Sequence, residues 1–247
     1  MSRRQSNRAF LGIAALLFIG SVAITIVWSA SMSSMPGMPM PGDWTMTMTW
    51  MPGGTWLSGA ASFLLMWIVM MVAMMLPSLV PMLLRYRAAI DDESDSRVGL
   101  LTTLAASGYF FVWSVVGLAV HAIGTALATM AMQDPAVSRA VPLTIATVVV
   151  LAAALQFTEW KARQLECCRE GSTDALALVL PANAVMAWRH GVRLGFDCVR
   201  CCGNLMAILL VLGVMDLWVM AIVTAAITFE RLWEKPYPGR ARSATIL

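Results

Sequence analysis

Apolar residues in this chain come in long uncharged runs, not in the mixed patterns of a soluble domain. A membrane-crossing helix needs about 20 such residues. The first run extends from Phe10 to Trp28, the second from Leu57 to Leu84, and the third from Leu100 to Leu127. Tyr109 and His121 are the only ionisable side chains in the third run. A fourth covers Val141 to Thr158. Basic residues fall between the runs unevenly. Arg3, Arg4 and Arg8 precede the first; Arg85, Arg87 and Arg97 lie in 85–99; Lys161, Arg163, Arg169, Arg189, Arg193 and Arg200 lie in 159–200. Segments 29–56 and 128–140 hold one basic residue, Arg139. The positive-inside rule therefore places the N-terminus, 85–99 and 159–200 in the cytoplasm, and 29–56 and 128–140 outside. The first run is longer than a signal-peptide core and shows no small-x-small cleavage site, so it reads as a retained helix.

The last apolar stretch, 203–229, is interrupted only by Asn204 and Asp216. As one helix it would be about 40 Å long, too long for a hydrocarbon core of about 30 Å, with Asp216 near its middle. Two helices, about 194–214 and 217–236, joined at Met215-Asp216, return the basic tail to the cytoplasm. The expectation is an all-α polytopic bundle of six transmembrane helices with both termini cytoplasmic. Residues 1–9 form the N-terminus, 10–236 one membrane domain and 237–247 a tail. Segment 174–193, with Pro181, Asn183 and a Trp188-Arg189-His190 end, reads as an interfacial amphipathic helix on the inner face. The acidic stretch 91–95 reads as a solvated turn.

Composition agrees and narrows the classes. The 247 residues are 59% hydrophobic and 13% charged, against about 25% charged in soluble domains. A soluble enzyme and a disordered chain are excluded. The net charge of +3 follows from membrane orientation and gives no support for nucleic-acid binding. No P-loop, dinucleotide-binding glycine motif, HExxH or nucleophile elbow is present.

The chemistry-bearing residues are sulfurs. There are 20 methionines against two histidines. Met32, Met35, Met38, Met40, Met46, Met48 and Met51 crowd the outer loop among Pro, Gly and Thr, which cannot form a long helix. Thioethers are soft neutral donors that select Cu(I) and need no deprotonation. The competing reading is an apolar loop anchored by Trp44, Trp50 and Trp56. In the second helix Met66, Met70 and Met74 repeat at i, i+4, as do Met71 and Met75. Packing filler is the stronger reading of that stripe on physics alone; a thioether-lined path is the functional one. Pro77 and Pro81 should kink this helix and release carbonyls. All five cysteines, Cys167, Cys168, Cys198, Cys201 and Cys202, fall in the cytoplasmic half. The spacing sets Cys198, Cys201 and Cys202 on one side at a helix start, where the dipole and nearby Arg169, Arg193 and Arg200 favour thiolates. Sulfur-only sites suit Cu(I), zinc or an iron–sulfur cluster. His121 reads as a packing histidine, His190 as a weak ligand candidate, and Glu230 as an ion-pair partner for Arg231 or an inner-face arginine.

In order and spacing the chain resembles a family of bacterial inner-membrane proteins described as predicted metal-binding integral membrane proteins. The pieces are Trp67-x-x-Met70-x-x-Ala73-Met74-Met75-x-Pro77, Gly108-Tyr109-x-x-Val112-Trp113, Gln156-x-Thr158-x-x-Lys161 and Cys168-Arg169. Then follow Gly195-x-x-Cys198-x-x-Cys201-Cys202-x-x-Leu205-Met206, Gly213-Val214-Met215, Trp218-Val219-Met220 and Glu230. The resemblance covers roughly 57–235 and implies metal binding in a membrane bundle, without supplying a reaction. The chain departs from that pattern at Gln164, where the family has a cysteine; at Val199, Arg200 and Gly203 around the Cys-x-x-Cys-Cys; and at Asp216, where it has Asn. The Gln164 change leaves a four-cysteine site dependent on Cys167.

Three functions fit these residues. The first is Cu(I) handling, in which the outer Met loop collects the ion, the second helix passes it, and Cys198, Cys201 and Cys202 receive it for a cuproenzyme or metallochaperone partner. The second is a metal- or thiol-dependent membrane oxidoreductase, against which stands the scarcity of acid–base residues within the membrane. The third is a structural or assembly subunit of a membrane complex.

Overall fold

The structure is a computed structural model that describes residues 3–33, 37–42, 44–46, 55–90, 94–165, 183–214 and 216–232. Its helices are α1 (Arg3–Ser33), α2 (Trp56–Ala89), α3 (Asp95–Gln133), α4 (Pro135–Gln156), a short α5 (159–165), α6 (Ala184–Leu212) and α7 (Leu217–Leu232). Five of them, α1, α2, α3, α4 and α6, are long and apolar enough to cross a membrane. α1, α2 and α3 extend past both ends of the uncharged runs that mark them, and α4 past the start of its run, because a charge ends an apolar run but does not break a helix. Segment 128–140 is thereby helical on both sides of Asp134. That residue caps α4 through Ala136 N–H (2.8 Å), with Pro135 at the first helical position.

Two further expectations change. Residues 184–193 are not a separate interfacial helix; they are the first turns of α6, since nothing between Ala184 and Leu212 stops the ladder. And the Met-rich segment after α1 holds a two-stranded antiparallel hairpin, β1 (Met38–Met40) and β2 (Trp44–Met46), with Met38 opposite Met46. Its turn uses Gly42 at φ +106°, a left-handed conformation that suits glycine. The hairpin docks on α4: Trp44 Nε1 donates to the Ser138 carbonyl (3.0 Å) and Ser138 Oγ to the Pro41 carbonyl (2.8 Å).

The last apolar stretch is divided. α6 ends at Leu212, Gly213 adopts φ +133°, and α7 begins at Leu217. Asp216 accepts from Trp218 N–H (2.9 Å) and Val219 N–H (3.1 Å), which satisfies the first turn of α7.

α2, α3 and α6 form the core, with α1, α4 and α7 packed around them. α3 and α6 run in parallel, and three glycines let their backbones touch. A Cβ at Gly108 would lie 2.6 Å from the Trp188 carbonyl oxygen, and one at Gly195 2.9 Å from Val112 Cβ. One at Gly191 would overlap the Ala105 carbonyl. Gly191 and Gly195 make the small-xxx-small spacing by which membrane helices approach closely. α2 crosses the same pair antiparallel: Trp67, fully buried, lies on Gly117 and donates its indole N–H to the Trp113 carbonyl (2.9 Å). At the other end Arg87 ties three helices together, bonding Asn7 (3.1 Å), Ser6 (2.8 Å) and Thr102 (3.4 Å) beneath the Phe10 ring.

If the glycine contact sets the bundle, Gly191→Ala lowers stability by about 1–3 kcal/mol, the usual cost of overpacking. Gly203→Ala, where a Cβ meets nothing within 4 Å, does not lower stability and gains the helix preference of alanine. Thermal unfolding of the two detergent-solubilised variants checks this.

Candidate metal site

The α3–α6 contact carries Tyr109 of α3 up to the cysteines of α6, and α2 brings its methionines to the same place. Cys198, Cys201, Cys202, Met71 and Met75 are fully buried, and Met70 and Met74 nearly so. Cys198 is the hub. Its Sγ lies 4.0 Å from Met75 Sδ and 4.0 Å from Cys202 Sγ, and Tyr109 donates its hydroxyl to it at 3.0 Å. Cys201 Sγ is 3.4 Å from Cys202 Sγ and 3.5 Å from the Cys198 carbonyl. No disulfide joins the three thiols. A three-coordinate ion with metal–sulfur bonds of about 2.3 Å holds its sulfurs about 4.0 Å apart. Cys198 stands at that separation from both Met75 and Cys202. Among the described residues no group of three or more His, Cys, Asp or Glu forms a ready cage; the sulfur contact gains its remaining donor from a thioether.

The cysteines are not at a helix start. Cys198 lies fourteen residues beyond Ala184, so the N-terminal dipole of α6 does not reach it. Arg193 and Arg200 are exposed. The buried cations come from other elements. Lys161, 2% exposed, donates to the Cys201 carbonyl, to Asn204 Oδ1 (3.1 Å) and to Glu230 (3.1 Å). Gln156 joins the same network through Asn204 and Glu230. Arg231 donates to Ser78 Oγ (3.0 Å), and Ser78 Oγ to the Met75 carbonyl (3.0 Å). A cation therefore sits on the backbone of Cys201, and another is one hydroxyl away from that of Met75.

Of the other candidates in the sequence, Cys167, Cys168, Met35 and Met48 lie outside the described residues. Met38, Met40 and Met46 belong to the hairpin. It packs near Ala128 and Ala131, about 30 Å along α3 from Tyr109. They are not brought to the cysteines. Met66 and Met70, with Thr25 and Trp28 of α1, line a narrow cleft between α1 and α2. α2 runs unbroken through Pro77 and Pro81. Glu230 pairs with Lys161 (3.1 Å). His121 packs on Phe63 (5.0 Å) and Trp56 (6.2 Å), and His190 stacks on Tyr86 (5.1 Å). Tyr109, Lys161, Gln156 and Asn204 are the site residues that ligand chemistry overlooks; the first three fall in the Gly-Tyr and Gln-x-Thr-x-x-Lys pieces of the resemblance, and Asn204 has no such signal.

Fold and site together define a helical protein with membrane-length apolar helices around a buried sulfur contact. The family described as PpoB2, copper chaperone, matches residues 64–246, and the chain belongs to it. The match begins beyond α1 and the hairpin and includes every residue of the sulfur contact. No curated protein and no solved structure matches the chain.

Removing one partner of a buried ion pair strands the other. Lys161→Met therefore costs about 3 kcal/mol, softened by the partial exposure of Glu230. Lys161→Met/Glu230→Met costs less than the single change. Chemical denaturation of both variants against wild type measures the difference.

Proposed function

We propose that this chain is a multi-pass membrane chaperone for Cu(I), bound through Met75, Cys198 and Cys202, with Cys201 as the neighbouring exchange ligand. The carrying observation is the unbroken contact of thioether and thiol sulfurs in a dry helical interior. Copper is the cargo. Soft ligands favour its cuprous form, and burial excludes the water that harder ions retain. Copper handling is the role the family description prints, and the donor set fits it.

In this reading α7 is the sixth span, both termini are cytoplasmic, and the hairpin faces outward in a bacterial inner membrane. Two features support that orientation. α4 and α7 end where Gln156 and Glu230 meet Asn204 and Lys161. From that level toward its start α6 carries Arg200, Asp197 and Arg193 within about three turns, as a chain does at an inner membrane boundary. The sulfur contact then lies near the cytoplasmic boundary. Met35, Met38, Met40, Met46 and Met48 collect the ion outside. Met66 and Met70 receive it at the α1–α2 cleft. Met70, Met71 and Met74 continue toward Met75, about 14 Å along the helix from Met66. Thiolates end the path. Donor strength rises from thioether to thiolate, so the transfer runs downhill without nucleotide hydrolysis. Cys167 and Cys168, next in the chain after α5, offer thiols to hand the ion to a cuproenzyme or a soluble carrier.

Anaerobic titration of the purified protein with Cu(I), followed by metal analysis, tests this. Wild type retains stoichiometric copper through desalting. Cys198→Ser/Cys201→Ser/Cys202→Ser retains none, and Met75→Leu binds but more weakly. Equal retention by the triple variant and wild type refutes the site. Met66→Leu/Met70→Leu leaves equilibrium binding by the purified protein intact and slows copper loading of the thiols in cells. A loading rate equal to wild type removes the thioether path.

A further inference from the structure

Tyr109 is fully buried, and its hydroxyl has Cys198 Sγ as its acceptor, at 3.0 Å. The acceptor is a poor one while Cys198 is a thiol and a strong one when it is a thiolate. A buried hydroxyl aimed at a weak acceptor recovers little of its desolvation cost. Val112, Leu194, Met75 and Leu205 are buried apolar residues of the same core, and the positive charge that reaches Tyr109 and Cys198 is that of Arg231. The geometry is also built, not incidental. Gly195 lets α6 approach the main chain of Tyr109, with a Cβ there only 3.1 Å from the Tyr109 carbonyl oxygen. That approach sets the phenol ring beside the next turn of α6, where Cys198 lies. Cys198 is also the sulfur that touches both Met75 and Cys202. Whatever orients it orients the whole donor set.

We infer that Tyr109 is the positioning residue of the copper site: its hydroxyl holds the Cys198 sulfur in place and bears part of the negative charge that this sulfur acquires on binding Cu(I). This rests on the Cu(I) reading above. On binding, Cu(I) replaces the thiol proton of Cys198, which leaves to water; Tyr109 keeps its own proton and no electron moves. The thiolate then has the ion on the side of Met75 and Cys202, and the phenol on the side of α3. Without the hydroxyl, part of the charge on a fully buried sulfur goes uncompensated. Groups that orient a metal ligand in this way change affinity by about 10–100-fold when removed.

The test uses the full chain in detergent or nanodiscs, with Cu(I) itself competed by a Cu(I)-specific chelator. Tyr109→Phe keeps the ring and its packing, so the apo protein unfolds at the wild-type temperature while its Cu(I) affinity falls about 10–100-fold. The same change is made beside Cys198→Met, which keeps a soft sulfur but forms no thiolate, and beside Cys201→Ser. The effect of Tyr109→Phe disappears in the first background and persists in the second. A structural role for the tyrosine lowers affinity in both. Copper X-ray absorption of the loaded proteins gives a second reading, in which Tyr109→Phe alters the mean copper–sulfur distance. Wild-type affinity in Tyr109→Phe, an undiminished effect beside Cys198→Met, or an unchanged copper–sulfur distance overturns the inference. Wild-type protein that binds no Cu(I), or a triple serine variant that binds it equally, overturns the sulfur site itself.

Discussion

Where α3 crosses α6, two helix backbones lie closer than side chains ordinarily permit, and the rest of the molecule is arranged around that approach. Gly108 faces the Trp188 carbonyl, Gly191 lies on Ala105, and Gly195 lies beside Val112. In a bilayer the lipid tails are as apolar as the side chains, so burial of apolar surface does little to hold helices together. Close van der Waals contact must do it, and glycine is what lets two backbones achieve it. The consequence reaches beyond stability. Because the helices run in parallel at this distance, Tyr109 reaches Cys198 across the seam. α2 then closes the third side with Trp67 on Gly117 and Met75 on Cys198.

The second constraint is polar. A bundle of this composition has few charged groups in its interior, and each needs partners. Lys161, Glu230, Gln156 and Asn204 satisfy one another, joining α4, α5, α6 and α7 at one level of the bundle. Through the Cys201 carbonyl this network touches the backbone that carries the thiols, and through Ser78 Arg231 does the same for Met75. The backbone that carries the sulfurs is thus held at two points, the Cys201 and Met75 carbonyls. That division suits a carrier. In the proposed reading soft sulfurs bind the cargo, while the polar network behind them fixes the backbone that carries the donors.

Much of this was legible in the residues. Uncharged runs located α1, α2, α3 and α4, because a helix is the cheapest way to bury backbone polar groups in lipid. The break at Asp216 followed from length and charge. Sulfur chemistry marked Cys198, Cys201, Cys202 and the α2 methionines as the residues to follow. The expected dipole support failed because helix starts are set by backbone continuity, and no local signal stops α6 from reaching back to Ala184. The hairpin at 38–46 was missed because three-residue strands leave almost no periodic trace.

What the sequence determined by itself was the class of architecture and the type of donor: composition dictates apolar helices, and thiol and thioether chemistry belongs to the side chains wherever they lie. What only the tertiary structure decided was which sulfurs meet. Cys198 and Cys202 share a helical face by their spacing of four, but Met75 is 123 positions from Cys198, and Tyr109 is 89. Those encounters depend on how α2, α3 and α6 cross. The crossing depends on three glycines whose significance appears only when another backbone lies against them. The physical reason is that a residue's chemistry is local, while a binding site is made of distances between residues that the chain order does not specify.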